Sequence, residues 1–136
     1  MAQVSFQNLP STSTPLNATN LNAIQEIQEI GSNANGTYIK FINGNLIQMG
    51  KKTFQSVAVN NTYGQYFYAL PGAITFPMQF YSTDYGVVLS LLTSGCGSCS
   101  YFSLTKSQFS TKVFNGTSQS SADITMSFVA FGRWKA

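Results

Sequence analysis

The spacing of apolar side chains changes along the chain, and the change marks where one kind of element gives way to another. Between Thr19 and Gly31 the apolar residues recur mostly at every third position, as on a narrow helical stripe. From Thr37 onward they alternate with polar residues, as in β-strands that bury one face. The sequence therefore predicts a short α-helix over residues 19–31 and a β domain over residues 32–136.

Strands are predicted throughout the second part, separated mostly by turns that contain Gly, Asn or Pro. The first is a hairpin, "TYIKFINGNLIQMG", in which Asn43 and Gly44 predict a tight turn of the primed type. Further strands are predicted over residues 54–59, 65–70, 73–76, 85–93, 100–105, 109–114 and 123–134. About eight short strands at this spacing indicate an all-β fold, an antiparallel β-sandwich.

The last predicted strand has two different faces. One face is apolar throughout and indicates the core: Ile124, Met126, Phe128 and Ala130. The other face is polar at first and apolar later: Thr125, Ser127, Val129 and Phe131. We expect the apolar half of this second face to be covered as well. The run "VVLSLL" at residues 87–92 is also apolar on both faces, apart from Ser90. It predicts a central strand or a contact between subunits.

The predicted helix needs a partner, because a helix of about twelve residues is marginal alone and the sequence predicts no second helix. Its apolar stripe consists of Leu21, Ala23, Ile24, Ile27 and Ile30. We expect this stripe to pack against the same helix of neighbouring copies about a symmetry axis. The alternative is a helix lying across one end of its own β domain. The predicted interface between copies comprises Leu21, Ile24, Ile27, Ile30, Val129 and Phe131.

Residues 1–18, rich in Ser, Thr, Asn and Pro, are predicted to form an extended arm. Only 8% of the residues are charged, and the single basic doublet, Lys51 and Lys52, is too small to hold a nucleic-acid backbone. No apolar run approaches the roughly 20 residues that span a bilayer, and the first ten residues lack the pattern of a secretory signal. We therefore expect no nucleic acid, no membrane insertion and no use of the secretion pathway.

The sequence offers little for catalysis, since it contains no histidine and only four carboxylates. Glycoside hydrolysis needs two facing carboxylates, and Asp84 with Asp123 is the pair that leaves this option open. No phosphate-binding glycine motif is present. We therefore expect neither enzymatic activity nor a cofactor.

Cys96 and Cys99 form a C-x-x-C motif within "SGCGSCS". Such motifs occur in redox proteins and as half of a zinc site. The redox form usually opens a helix in a βαβ unit, and a zinc site would need two further ligands from another copy. Loop thiols or a local disulfide are favoured over both, so no metal site is expected.

Five of the seven tyrosines are grouped in two segments, "NNTYGQYFY" and "FYSTDYG", beside amide and carboxylate side chains. Aromatic rings stack on the C–H face of a sugar, and planar polar groups bind its hydroxyls. The candidate saccharide-binding residues are Asn61, Tyr63, Tyr66, Tyr81, Asp84 and Tyr85, with Arg133 and Trp134 as a second choice. For any one tyrosine the alternative is a packing role on a strand surface. Arg133 and Trp134 form a cation–π pair or wall a groove, or Trp134 seals the rim of the core.

Five segments, in this order, resemble phage tail proteins. "TPLNATNLNAIQEI" resembles the segment before a receptor-binding tip in tail and baseplate proteins, and "NGTYIKFINGNLIQMG" resembles the opening hairpin of phage tail-fibre C-terminal domains. "ITFPMQF", "VVLSLL" and "SFVAFGRWK" resemble later strands of those domains, which are similar in fold to the H-type lectins. The resemblance implies a homotrimeric β-sandwich of six or seven strands at the distal end of a fibre, with a short helical bundle leading into it.

The resemblance also implies that the protein binds saccharide on a host cell surface. We therefore expect a tail-fibre or tail-tip protein of a virion, made in the host cytoplasm, that recognises the host as a homotrimer. Its arm is expected to attach to other virion tail proteins. The alternative is a structural attachment or plug protein that binds only virion proteins. A third possibility, a small glycan hydrolase, depends on Asp84 and Asp123 facing one cleft.

Overall fold

The computed structural model describes residues 27–93 and 96–136, and this part of the chain consists of two antiparallel β-sheets without a helix. The strands are β1 (Ile27–Asn33), β2 (Gly36–Phe41), β3 (Asn45–Val59), β4 (Asn61–Tyr63), β5 (Tyr66–Thr75), β6 (Gly86–Leu91), β7 (Ser98–Phe102), β8 (Gln108–Asn115) and β9 (Gln119–Arg133). One sheet has the order β1-β2-β3-β9-β6 and the other β4-β5-β8-β7.

The predicted all-β antiparallel architecture is confirmed. The described ranges contain nine strands, where the resemblance implied six or seven. They contain no helix long and apolar enough to cross a membrane.

The core lies between the two sheets, because alternate residues of each strand turn inward. Phe109 on β8 reaches Phe128 on β9 across the core, with 5.8 Å between the ring centroids. The predicted core face of β9 is confirmed, since all four of its residues are buried: Ile124, Met126, Phe128 and Ala130. Burial of a large apolar side chain stabilises the fold by about 2 kcal/mol. This face of β9 is therefore a main source of stability.

β2 and β3 form the predicted hairpin, with Lys40 paired to Leu46 at its closed end. The loop between them has the three-residue form, in which the Gly44 N–H donates to the Phe41 carbonyl at 3.0 Å. Gly44 has a φ of 95°, whereas Asn43 is not among the residues with positive φ. With Asn43 and Gly44 as the central residues, a type I′ turn needs positive φ at both and a type II′ turn needs it at Asn43. The hairpin prediction is therefore confirmed and the predicted turn type is wrong.

Residues 27–31, predicted as the end of the helix, lie in strand β1, so the helix prediction is wrong for them. β1 pairs with β2, and Gly31 lies opposite Tyr38, whose ring fills the space that a Cβ at position 31 would occupy. This pairing satisfies backbone donors and acceptors, and it outweighs the weak helical preference of a short segment. The rest of the predicted helix and the predicted arm, residues 1–26, lie outside the described residues.

The outer side of the five-stranded sheet carries a continuous apolar area. Its seven residues, which we call the apolar face, are Ile30, Ile39, Ile47, Met49, Val88, Val129 and Phe131. The strand register aligns the first three with Phe131 across β1, β2, β3 and β9, and it aligns Met49, Val129 and Val88 on the next rung. Beyond that rung the same side becomes polar, with Lys51 paired to Ser127 and Thr53 to Thr125.

The apolar face is uncovered in the single chain. Val129 and Phe131, expected to be covered on both sides, are 43% and 52% exposed, and Val88 is 62% exposed. β6 is an edge strand, so the central-strand alternative for residues 87–92 is wrong, while the contact between subunits stays a prediction. Of the predicted interface residues, Ile30, Val129 and Phe131 lie on this face, Ile27 begins β1, and Leu21 and Ile24 lie outside the described residues.

Candidate functional site

The predicted saccharide-binding residues lie at opposite ends of the sandwich. Tyr66 begins β5, which is 10 residues long and therefore extends for about 30 Å. The other end of β5, Thr75, pairs with Gln108. Tyr81 lies at that second end, where its backbone N–H donates to the Arg133 carbonyl at 2.7 Å. Within one chain the two tyrosine segments are therefore too far apart to contribute to one binding site.

Six side chains on the outer side of the four-stranded sheet form one surface, which we call the tyrosine face: Asn61, Tyr63, Tyr66, Tyr68, Lys112 and Phe114. Tyr63 and Tyr66 are paired next to the turn of the β4–β5 hairpin. The ring centroids of Tyr63 and Tyr68 each lie 6.4 Å from that of Phe114. The Lys112 Nζ lies 4.9 Å from the centre of the Tyr68 ring. Neighbouring rings, an amide and a cation thus occur together on one side of the sheet.

The tyrosine face is open to solvent, with Tyr63 67% and Tyr66 60% exposed. The four strands of its sheet contain one charged side chain, Lys112, and no carboxylate. Lys112 and Phe114 were not among the predicted ligand residues. A signal was present, since both alternate with the core residues of β8: Phe109, Thr111 and Val113.

Tyr85, also predicted to bind saccharide, is engaged within the chain. Its ring stacks on that of Phe80, with 4.5 Å between centroids, and meets the Phe76 ring edge-on at 5.2 Å. Its hydroxyl donates to the Thr105 carbonyl at 2.8 Å. Burial raises the pKa of Tyr85. These contacts give Tyr85 a packing role, which was the alternative considered for each tyrosine.

A cleft of about 580 Å³ opens at the end of the sandwich where β9 finishes. Its walls are the β2–β3 loop, the end of β9 and the segment leading into β6. We call it the rim cleft, and its lining residues include Asn43, Asn45, Asp84, Tyr85, Gly86, Phe131 and Arg133. The structure therefore brings together three of the predicted ligand residues, Asp84, Tyr85 and Arg133, with two asparagines that were not predicted to bind ligand.

Hydrogen bonds hold the walls of the rim cleft together. Arg133 Nη2 donates to the Asn43 carbonyl at 3.0 Å, and its Nε donates to the Lys135 carbonyl at 3.2 Å. Trp134 Nε1 donates to the Phe41 carbonyl at 3.0 Å. The end of β9 is thereby fixed to the β2–β3 loop, so that the cleft is preformed.

Trp134 and Arg133 have different roles. The Trp134 ring is partly buried against the core, with Lys40 Nζ 4.9 Å and Lys135 Nζ 4.8 Å from its centre. Its cation–π partners in the described ranges are these two lysines, whereas the Arg133 guanidinium binds backbone carbonyls. Trp134 therefore seals the edge of the core, and Arg133 walls a groove.

Asp84 and Asp123 do not face one cleft. Asp123 lies near the start of β9, where its carboxylate accepts the Ser56 N–H at 2.9 Å, at a bulge in β3. Asp84 lines the rim cleft beside Arg133, and the stretch from Asp123 to Arg133 extends for about 30 Å. Glycosidase carboxylates lie about 5–10 Å apart. The predicted alternative in which Asp84 and Asp123 face one cleft and hydrolyse a glycan is therefore wrong.

Cys96 and Cys99 are free thiols that pack against the core. Burial raises the pKa of both thiols. A raised pKa opposes the thiolate form that redox chemistry and zinc binding require. Residues 27–93 and 96–136 also contain no group of three metal-ligating side chains. Cys99 lies within β7 and not in the predicted loop. The geometry thus favours structural thiols over the redox and zinc alternatives.

Comparison with known proteins gives one informative similarity. No protein-family model and no curated protein matches the sequence. The structure of an N-truncated R1-type pyocin tail fiber is similar to this chain, with a TM-score of 0.56 and 16% sequence identity over 88% of this chain and 98% of that chain. Identity this low shows a shared fold alone. The expected likeness to tail-fibre domains is therefore confirmed at the level of the fold, and the finer likeness to the H-type lectins stays a prediction.

Proposed function

We propose that this chain is the host-binding domain of a phage or phage-like tail fibre, and that it binds a cell-surface saccharide through the tyrosine face. The observation that carries the proposal is the group of rings formed by the exposed Tyr63 and Tyr66 with the half-buried Tyr68 and Phe114. Rings in this arrangement offer successive flat surfaces on which the sugars of a polysaccharide stack. The tail-fibre fold supports the same function.

The charge of the tyrosine face indicates which polysaccharides it accepts. Lys112 lies over the Tyr68 and Phe114 rings, at 4.9 and 5.5 Å from their centres. Since the strands of this sheet carry no carboxylate, nothing on them repels an acidic sugar. The tyrosine face therefore suits acidic as well as neutral chains.

In the same proposal, three copies associate through the apolar face. Exposed apolar areas of this kind mark contact surfaces between proteins, and copies of one chain usually assemble with closed symmetry. The apolar and tyrosine faces lie on the outer sides of different sheets. Packing of the first about an axis therefore leaves the second directed outward. A trimer then presents three weak sites to one cell surface and gains avidity.

Replacement of Tyr66 tests the saccharide function. The full chain and its Tyr66→Ala variant are applied to an array of bacterial surface polysaccharides. Leu70→Ala is the matched control, because Leu70 is a similarly exposed residue of the same strand. We expect Tyr66→Ala to lose binding at an unchanged melting temperature, and Leu70→Ala to keep it. If Tyr66→Ala and Leu70→Ala bound the polysaccharides equally, the tyrosine face would not be the saccharide-binding site. Absence of binding by the unmodified chain would favour the structural virion protein.

A further inference from the structure

We propose that the rim cleft is a second saccharide site, which takes a single neutral sugar residue, such as a chain end or a branch. This inference rests on the proposed function and adds a site to it. The cleft lies at the opposite end of the sandwich from Tyr63 and Tyr66, so the two sites do not share residues. The cleft contains an exposed ring and two charges that do not pair with each other.

The exposed ring belongs to Phe131. On β6 its cross-strand partner is Gly86, and a Cβ at position 86 would overlap the Phe131 ring. One side of the ring therefore lies against the backbone of the neighbouring strand. The residue nevertheless stays 52% exposed. Phe131 belongs both to the apolar face and to the lining of the rim cleft. A ring fixed from behind is suited to stacking on the C–H face of a sugar, and sugar binding here requires that the assembled copies leave the cleft side of this ring uncovered.

The two charges are those of Asp84 and Arg133. Both residues line the rim cleft, but they do not form an ion pair with each other. The ion pair found in the described ranges is between Lys40 and Glu29. The Arg133 guanidinium is oriented by the Asn43 and Lys135 carbonyls and keeps further N–H groups free of those two bonds. Within the described residues, Asp84 forms its hydrogen bond through the backbone N–H, which donates to Ser82 Oγ at 3.2 Å. The Asp84 carboxylate takes no part in that bond. A ligand can therefore reach both charges.

The chemistry of these groups selects the ligand class. A carboxylate only accepts hydrogen bonds, and a guanidinium only donates them. A sugar hydroxyl does both, so a neutral sugar satisfies Asp84 and Arg133 at once, and the Asn45 amide adds a donor and an acceptor. An acidic sugar would meet the Asp84 carboxylate, and an amino sugar would meet the Arg133 guanidinium. Each of these charged sugars meets a like charge on one wall and must also give up the hydration of its own charge, so it binds more weakly than a neutral sugar.

Titration of the ¹⁵N-labelled full chain, followed by NMR, tests the proposal. The probes are methyl glycosides of glucose, galactose, mannose, rhamnose and N-acetylglucosamine, together with methyl glucuronide and methyl glucosaminide. We expect at least one neutral glycoside to shift the amide signals of Asn43, Asn45, Asp84 and Arg133 with a millimolar Kd, as is usual for one small ligand with few contacts. The glucuronide and glucosaminide should bind about tenfold more weakly. No shifts with any neutral glycoside, or equal affinity for the charged ones, would overturn the proposal.

Three variants sharpen the test. Phe131→Ala should abolish the shifts, whereas Val88→Ala, which removes another exposed side chain of the apolar face, should leave them intact. Asp84→Asn keeps a hydrogen-bond acceptor but removes the charge, so it should raise the affinity for methyl glucuronide relative to the unmodified chain. Unchanged glucuronide affinity would contradict the role given to Asp84. Because Tyr66→Ala should not alter these titrations, failure of the rim cleft and failure of the tyrosine face are distinguishable.

Discussion

The ring of Phe131 occupies the space above Gly86 on the adjacent strand, where any larger residue would have a Cβ. The same relationship joins Tyr38 to Gly31 in the β1–β2 pair of the same sheet. In both pairs an aromatic side chain covers the exposed backbone of a glycine. The glycine thereby fixes the direction of the ring, and a substitution at the glycine becomes a test of the ring's position.

Gly86→Ala should destabilise the protein, because the new Cβ must displace the Phe131 ring or separate β6 from β9. The expected loss is about 1 kcal/mol in the free energy of unfolding, at the low end of the range for overpacking because the half-exposed Phe131 ring can move aside. Denaturant unfolding measures it. Ser90→Ala, at an exposed site of the same strand, should change stability by less than about 0.5 kcal/mol. Equal stability of the two variants would mean that the ring does not lie over Gly86.

Gln48→Glu should destabilise the protein in a pH-dependent way. Gln48 is fully buried; its Oε1 accepts the Met78 N–H at 2.8 Å, and its Nε2 has no hydrogen-bond partner within the described residues. A glutamate there would bury a charge without a counter-ion, so its folded-state pKa would rise. We expect a loss of about 3 kcal/mol at neutral pH.

The loss caused by Gln48→Glu should shrink as pH falls through the raised folded-state pKa toward the unfolded value of about 4.3. Thermal unfolding across this range measures the trend. Gln55→Glu, at an exposed position of the same strand, is the control and should show little change at any pH. A pH-independent loss in Gln48→Glu would indicate a packing defect instead of a buried charge.

The β1–β2 pair should weaken in acid. The Tyr38 hydroxyl donates to Glu29 Oε1 at 2.6 Å, and Lys40 Nζ lies 3.0 Å from Oε2. The hydrogen bond from Tyr38, followed by that from Lys40, lowers the pKa of Glu29. A lowered folded-state pKa gives stability that is complete above the unfolded pKa of about 4.3 and is lost as pH falls through the folded value.

Hydrogen exchange of the β1 amides follows this change. Their protection should fall below the unfolded carboxyl pKa, and Glu29→Gln should flatten the acid part of the profile because the variant has no charge to lose. The effect is small, since an exposed ion pair contributes little. Identical acid profiles in Glu29→Gln and the unmodified chain would show that Glu29 does not stabilise the pair.

Val129→Asp should dissociate the proposed trimer, because it places a charge in the middle of the apolar face. Thr125→Asp lies on the same side of the same strand in the polar half and should leave the assembly intact. Light scattering of both variants at equal concentration measures the mass. A monomer in the unmodified chain, or a trimer in Val129→Asp, would contradict assembly through this face.

Much of the β architecture could be predicted because its signals are local. Alternation along β9 placed Ile124, Met126, Phe128 and Ala130 in the core, since side chains of a strand point to opposite sides in turn. The hairpin followed from glycine and asparagine between two β-rich runs. The turn type was wrong because the backbone conformation at Asn43 depends on how the loop packs, and the residue's identity leaves several conformations open.

Tertiary structure decided which segments pair and which distant side chains lie together, because no local pattern in the sequence contains that information. Residues 27–31 became a strand because β2 offered them a partner, although their own spacing is helical. The two tyrosine segments lie at opposite ends of the sandwich because strand β5 runs the length of the sheet between them. Asp84 and Arg133 both line the rim cleft because the order of strands in the sheet places the end of β9 beside the start of β6. The sequence by itself determined which side chains are buried along most strands, and the pairing of strands determined which exposed side chains share a surface.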